Sequence, residues 1–310
     1  MDPTIYEPII ELELVSRWYG QVIGLNEVSL TVGPGVTGLL GPNGAGKSTL
    51  IRLVTGQIAP SLGQVTVFGQ PVFRRPEILT RIGCCPDIEK FNDEWTGFAF
   101  VRACAYLGGL DPGPADQRAH ELLEDVGLRD AENLRIGSYS KGMRQRVKLA
   151  QALVNDPEVL ILDEPLTGMD PLGRRQIIEQ VRAWGRQGRT VLVSSHVLHE
   201  VEAMTDNVVL IHHGRVLAEG RVHEIRALLR GYPHHVTVDV PRPRELAARL
   251  VNDVDLTGLR FSEQGVTLET TRPDDLFLTL ERLVLDDGFE VRKLYTRDDS
   301  LEAVFDYLVD

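Results

Sequence analysis

The sequence predicts an α/β fold: a mostly parallel sheet broken by a helical insertion, followed by a small, separate α+β domain. Three observations carry this reading. Short apolar runs that suit buried parallel strands, VTGLL (36 to 40), VLILDEP (159 to 165) and TVLVSSH (190 to 196), each precede a helical stretch. Residues 91 to 137 lose the strand signal and carry helical patterns such as HELLEDVGL. At GYPHH (231 to 235) the chain resets into a new series of short strands and helices.

The elements follow in order. IIELELV (9 to 15) alternates as a half-buried strand does, and VSLTV follows after a turn. VTGLL runs through GPNGAGKST into a helix, TLIRLVTG, which Gly56 closes. QVTVFG (64 to 69) is another strand, and RIGCCP (81 to 86) is a strand or its exit. Beyond the helical insertion, VLILDEP is a buried strand with a helix after it at 171 to 187. TVLVSSH is the next, followed by a helix through Met204 and a hairpin, NVVLIHHGRVLAEG (207 to 220). In the last part VTVDV alternates, helices fit 243 to 252 and 274 to 285, and LRFS, VTLET and EVRKLY read as strands before a final helix, SLEAVFDYL. The order β-α-β-β-α-β is that of the ferredoxin-like split βαβ.

Composition narrows the function. The 310 residues exceed what one hydrophobic core usually serves. A net charge of −12 argues against a nucleic-acid partner, which would need a basic face. From Gly231 onward there are 17 acidic and 9 basic side chains, so −8 of the −12 lies in that stretch. No apolar run approaches the roughly 18 to 20 residues of a membrane span. The start, MDPTIYEP, lacks the basic region and apolar core of a signal peptide. Cys84, Cys85 and Cys104 form neither a disulfide framework nor a zinc pattern, and read as reduced cytoplasmic thiols. The pairs His212–His213 and His234–His235 have no carboxylate or cysteine at a metal-site spacing.

The chemistry begins at GPNGAGKST, Gly41 to Thr49, which matches the nine-residue phosphate-binding loop between a predicted strand and a predicted helix. Gly44 and Gly46, with Asn43 and Ala45 between and beside them, let the backbone curl so that successive N–H groups face phosphates. Lys47 reaches the β- and γ-phosphates, the Ser48 hydroxyl ligates Mg²⁺, and the helix that continues through Thr49 adds favourable potential at its N-terminus. In VLILDEP, Asp163 ends a buried strand, where it would hold Mg²⁺ through water. Glu164 follows at once, placed to polarise the attacking water. Alone, DEP would be an ordinary strand exit; the phosphate loop upstream gives it a role. His196 ends the following strand, on the side where ligands gather in parallel sheets, and a γ-phosphate contact suits it.

One feature stands apart. In SYSKGMRQRVKLAQAL (138 to 153) Ser140 is a good N-cap, and Met143, Val147, Ala150 and Val154 recur at helical spacing. Gly142 sits just inside the start, the build of an anion-binding helix terminus. It lies about ninety residues from the phosphate loop, with no nucleophile, base or metal-ligand cluster near it in sequence.

Taken together, these segments resemble the nucleotide-binding subunit of ATP-binding-cassette (ABC) transporters over about residues 10 to 220. The resemblance implies a P-loop NTPase: a RecA-like, mostly parallel sheet with an N-terminal antiparallel β subdomain and a helical subdomain at about 88 to 140. The ATPase domain would occupy 1 to 228, and an accessory domain 229 to 310. The family signature, usually LSGGQ, falls on Tyr139, Ser140, Lys141, Gly142 and Met143, where the serine and the second glycine are kept. YSKGM followed by RQR resembles the bacterial subfamily that energises export through separate permeases. By resemblance Tyr19 stacks on adenine, and Gly168, Met169 and Asp170 form a loop that crosses to the other subunit. The family places a Gln after the strand ending at Pro86; here Asp87 stands there, able to ligate Mg²⁺ or to hold the lytic water. Lys141 either attracts the partner's phosphates or is solvated. The tail, TRDDSLEAVFDYL, resembles an SLEDVF-type ending, whose apolar positions suit core packing by default and otherwise a dimer contact or regulatory surface.

The implied function is an ATP-hydrolysing export motor that uses ATP and Mg²⁺. Two subunits, expected to be identical, would dock head to tail, with Ser140 and the N–H groups near Gly142 meeting the γ-phosphate held by the partner. A separate membrane permease would hold the pair on the inner face of the cell membrane. The competing class is a soluble ABC-type ATPase acting on DNA or ribosomes. Against it stand the gap of under a hundred residues between loop and signature without sustained heptads, the single cassette and the acidic balance. A non-hydrolysing regulator is disfavoured by Lys47, Glu164 and His196, with Asp87 the one departure that leaves it open.

Overall fold

Apolar residues at alternating positions bury Ile10 and Leu12, then Val15 beyond an irregularity, and set the first strand against its neighbours. The computed structural model describes residues 8–228, 234–262 and 265–296, and the chain divides into two units, Met1–Gly220 and Arg221–Asp310. The first half of unit one contains β1 (Ile10–Tyr19), β2 (Val22–Val32), β3 (Gly35–Leu40), α1 (Lys47–Val54), β4 (Leu62–Val67), β5 (Gln70–Pro71), α2 (Pro76–Leu79) and β6 (Ile82–Cys85). The helical insertion supplies α3 (Gly97–Leu107) and α4 (Pro112–Asp125), and α5 (Lys141–Ala152) follows it. There follow β7 (Val159–Asp163), α6 (Pro171–Arg186), β8 (Thr190–Ser195), α7 (Leu198–Glu202), β9 (Asn207–His212) and β10 (Arg215–Arg221).

Two sheets result. One, in the order β2-β1-β4-β5, is antiparallel throughout. The other runs β10-β9-β3-β8-β7-β6, and the pairs β3–β8, β3–β9, β7–β8 and β6–β7 are all parallel. The apolar run of β7 is buried on both faces, as a central parallel strand must be. Strand alternation divides it: Leu160 and Leu162 join a core with Leu122, Leu149 and Val181, while Val159 and Ile161 join one with Leu39, Leu50 and Leu25. The sheet therefore carries helices on one face, and α1 with the antiparallel sheet on the other. At Gly38 in β3 an added Cβ would come within 2.1 Å of Val201 Cγ1, so the glycine lets α7 approach the sheet.

The second unit contains α8 (Val222–Leu228), β11 (His234–Asp239), α9 (Pro243–Asp253), β12 (Gly258–Phe261), β13 (Gly265–Thr270), α10 (Pro273–Leu285) and β14 (Lys293–Thr296). Its antiparallel sheet, ordered β12-β13-β11-β14, has the strand order of the ferredoxin-like fold. Val236, Val238, Val266 and Leu268 on one face of that sheet pack with Leu246 and Leu250 of α9 and Leu276 and Leu280 of α10. β14 starts at Lys293, later than EVRKLY suggests, because ladder pairing with β11 begins at Asp239↔Lys293. The expected helix SLEAVFDYL lies outside the described residues. No helix among those described is long and apolar enough to cross a membrane.

Candidate active site

Four strands of the parallel sheet, β6, β7, β8 and β3, deliver their carboxyl ends to one edge, where open α/β sheets bind ligands. From β3 the chain enters the loop Gly41–Gly46 and turns into α1. Gly44 (φ +85°) and Gly46 (φ +114°) occupy backbone conformations that side chains rarely adopt. A Cβ on Gly46 would also come within 2.7 Å of the Gly24 carbonyl, so both dihedral and space demand glycine there. Gly41 and Ala45 are buried beneath the loop. Lys47 is buried too, and its Nζ donates to the Gly41 carbonyl at 2.6 Å and to that of Pro42 at 3.3 Å. Glu164 Oε1 lies 3.7 Å from the same ammonium. Burial holds the Lys47 pKa below its ordinary value, against the opposing pull of Glu164 and Asp163.

β7 ends at Asp163 and β8 braces it. The hydroxyl of Ser194 donates to Asp163 Oδ1. The backbone N–H of Glu164 bonds to the Ser194 carbonyl and hydroxyl oxygens, each at 3.2 Å. Burial pushes the Asp163 carboxyl above its usual range, partly offset by the Ser194 hydrogen bond. Glu164 has φ +50°, a left-handed conformation costing a non-glycine residue roughly 1–2 kcal/mol. The turn aims its side chain at His196, one strand over, whose Nδ1 lies 2.9 and 3.0 Å from the two carboxylate oxygens. An ionised carboxylate only accepts, so Nδ1 carries the proton.

The expected residues meet in a cavity of about 300 Å³ lined by Tyr19, Asn43, Gly44, Gly46, Lys47, Ser48, Thr49, Asp87, Asp163 and Glu164, among others. His196 reaches it through Glu164. Tyr19 is partly exposed, and the Arg17 guanidinium lies 5.0 Å from its ring centroid. Ser140 and Gly142 do not line this cavity. Ser140 caps α5, accepting from the Met143 N–H at 3.2 Å, and Gly142 lies near the backbone of Gly168 and Met169. A second cavity of about 520 Å³ shares Ser48, Asp87 and Asp163 and adds Cys84, Arg52 and Lys148.

Two contributors escaped the sequence reading. Ser194 looks like any small residue in a buried strand, and only the β7–β8 register shows it beside Asp163. Lys148 is a charged residue at a buried position of α5; its Nζ donates to the Pro86 carbonyl at 2.8 Å and to that of Asp87 at 3.1 Å. The signal was a lysine between Val147 and Leu149, in a helix that also buries Gln145 among its apolar residues.

The chain is similar to ATP-binding subunits of ABC transporters in both sequence and fold. The sequence pattern of the ABC transporter family matches residues 25–167. The chain is 37% identical over 302 residues to the Nod factor export ATP-binding protein I of a Rhizobium species, covering 96% of this chain and 95% of that one. It is 42% identical over 212 residues to an uncharacterised ABC transporter ATP-binding protein of a Nostoc species, covering 67% of this chain and 63% of the relative. The solved structure of an ABC transporter ATP-binding subunit superposes with a TM-score of 0.65 at 30% identity, covering 71% of this chain and 93% of that one. With its phosphate loop, paired carboxylates and histidine gathered at one sheet edge, the chain belongs to the ABC transporter family as an ATP-binding, ATP-hydrolysing subunit.

Proposed function

We propose that this subunit powers export through a separate membrane permease, working as a head-to-tail pair of identical chains on the inner face of the cell membrane. The observation that carries the export reading is the likeness to an export ATP-binding protein over nearly the whole of both chains. In this reading residues 1–228 are the motor, with the helical part at about 88–140 toward the permease, and residues 229–310 are an accessory domain. Tyr19 stacks on adenine. The N–H groups from Asn43 to Thr49 and the Lys47 ammonium bind the phosphates.

The residues present suit Mg²⁺. Among the described residues no group of three or more His, Cys, Asp or Glu is placed to cage a metal alone. Mg²⁺ rarely wants such a cage, taking one or two carboxylates and completing its octahedron with phosphate oxygens and water. Ser48, Asp163 and Asp87 would hold it, and when bound it neutralises charge developing on the β- and γ-phosphates. Glu164 orients and polarises the attacking water, with His196 fixing its carboxylate and reaching toward the γ-phosphate. Ser140 and Gly142 serve the partner's nucleotide, which accounts for their absence from this chain's own cavity.

The test is the oligomeric state by light scattering with ATP and Mg²⁺, wild type against Glu164→Gln. The variant is expected to bind ATP, hydrolyse it slowly and accumulate as a dimer. A variant that binds ATP yet stays monomeric contradicts the head-to-tail pair. Wild type without ATPase activity contradicts the motor.

A further inference from the structure

The loop after β6 carries Asp87, and its anchor comes from elsewhere in the fold. Lys148 projects from α5 and is 3% exposed. Its ammonium makes two hydrogen bonds, both to carbonyl oxygens of that loop, at Pro86 and Asp87. Ammonium groups are almost never so deeply buried unless paired, and charge-assisted bonds to carbonyls are among the stronger ones a loop can receive. Lys148 and Asp87 also line the same 520 Å³ cavity as Ser48 and Asp163. A carboxylate at position 87 adds negative charge beside Asp163 and Glu164, and the buried cation offsets part of it.

We infer that Lys148 is a positioning residue for the metal side of the nucleotide site. It clamps the Pro86–Asp87 backbone and supplies the counter-charge that lets a carboxylate stand at position 87. The inference rests on the proposed role of Asp87 toward the metal ion. It assigns to α5 a task inside this chain's own site, separate from the task proposed for Ser140 at its start.

The experiment uses the full chain in a Glu164→Gln background, so that ATP persists. ATP affinity is measured in EDTA with a fluorescent ATP analogue. The half-saturating Mn²⁺ concentration with ATP present is measured from the free-Mn²⁺ paramagnetic resonance signal. Lys148→Met is expected to leave EDTA-state ATP affinity within about twofold, because the phosphate loop is untouched, and to raise Mn²⁺ half-saturation about tenfold, the usual scale for losing a group that orients a ligand. Asp87→Asn should raise it similarly, and the double variant should be no worse than the worse single one, since Lys148 acts through the loop. If the methionine variant fails to fold, Lys148→Gln, which keeps a donor, is read in its place. A lysine serving stability alone would lower the melting temperature without moving Mn²⁺ half-saturation. That result, or losses that multiply in the double variant, overturns the inference. A parent protein that fails to bind ATP in EDTA overturns the nucleotide reading itself, and this inference with it.

Discussion

His196 grips both carboxylate oxygens of Glu164 through one nitrogen, at 2.9 and 3.0 Å, the two residues lying just past the ends of the neighbouring strands β8 and β7. The carboxylate is also 3.7 Å from the buried Lys47 ammonium, so two basic groups fix its direction. Glu164→Gln keeps the shape but loses the basicity, and hydrolysis should fall by about 10²–10⁴-fold with ATP affinity within a few-fold. His196→Ala should also lower kcat while leaving KM for ATP nearly unchanged. Steady-state phosphate release measures both, and an equal rise in KM would show that the histidine binds ground-state nucleotide instead.

Gly46→Ala tests the phosphate loop with one methyl group. At φ +114° with the Gly24 carbonyl 2.7 Å from the new carbon, the loop must reopen. We expect nucleotide binding to fall below detection in a thermal-shift assay with ATP, while the apoprotein loses only about 1–3 kcal/mol. Gly44→Ala is a milder companion. No atom lies within 4 Å of its added carbon, so only the dihedral at φ +85° resists.

Ser140 separates capping from contact across subunits. Its hydroxyl accepts from the Met143 N–H, so Ser140→Ala should cost about 1 kcal/mol of stability, as for other caps. Ser140→Asp keeps a capping oxygen but brings negative charge to the helix start. In the Glu164→Gln background both should abolish the ATP-dependent dimer, and the aspartate variant should do so without the loss in melting temperature. A dimer that survives Ser140→Asp, seen by light scattering, would remove Ser140 from the interface.

The cysteines predict alkaline behaviour. Burial pushes the Cys84 and Cys85 thiols up to about 12 and that of Cys104 up to about 11. In the unfolded chain these groups ionise near 8.5–9. Below that range both states are protonated and the thiols do not bias folding. Above it the unfolded chain releases protons that the folded chain retains, so stability falls with rising pH by up to about 1.4 kcal/mol per unit for each thiol. The melting temperature should decline above pH of about 9, and Cys85→Ala should flatten that decline. The same burial makes alkylation at Cys85 slow in the native protein, readable by mass spectrometry.

Much of the site was legible because its parts are local. Gly44, Gly46, Lys47 and Ser48 form one continuous loop whose chemistry follows from residue type and spacing, and Asp163 and Glu164 are adjacent. The sheet was legible because β7 and β8 are buried on both faces and so read as unbroken apolar runs. Ser194 was not, because its role depends on which strand lies beside β7, a non-local fact. Lys148 was not, because periodicity assigns a lysine to a solvated face, and only the returning loop from β6 gives its ammonium carbonyls to bind. The two-residue β5 and the four-residue α2 are too short to show any period.

Lys148 also gives α5 a mechanical property. Ser140 caps the helix and Lys148 lies eight residues on, about 12 Å away at 1.5 Å per residue, along one uninterrupted helix. A straight helix of three turns behaves as a rod: it tilts or slides, but barely stretches. In the proposed head-to-tail pair its tip would face the partner's nucleotide while its shaft is fastened to the Asp87 loop, so tilt at one end would become displacement at the other. Each subunit would then sense the other's occupancy through a single moving part, and the two sites would keep time without a relay of side chains between them.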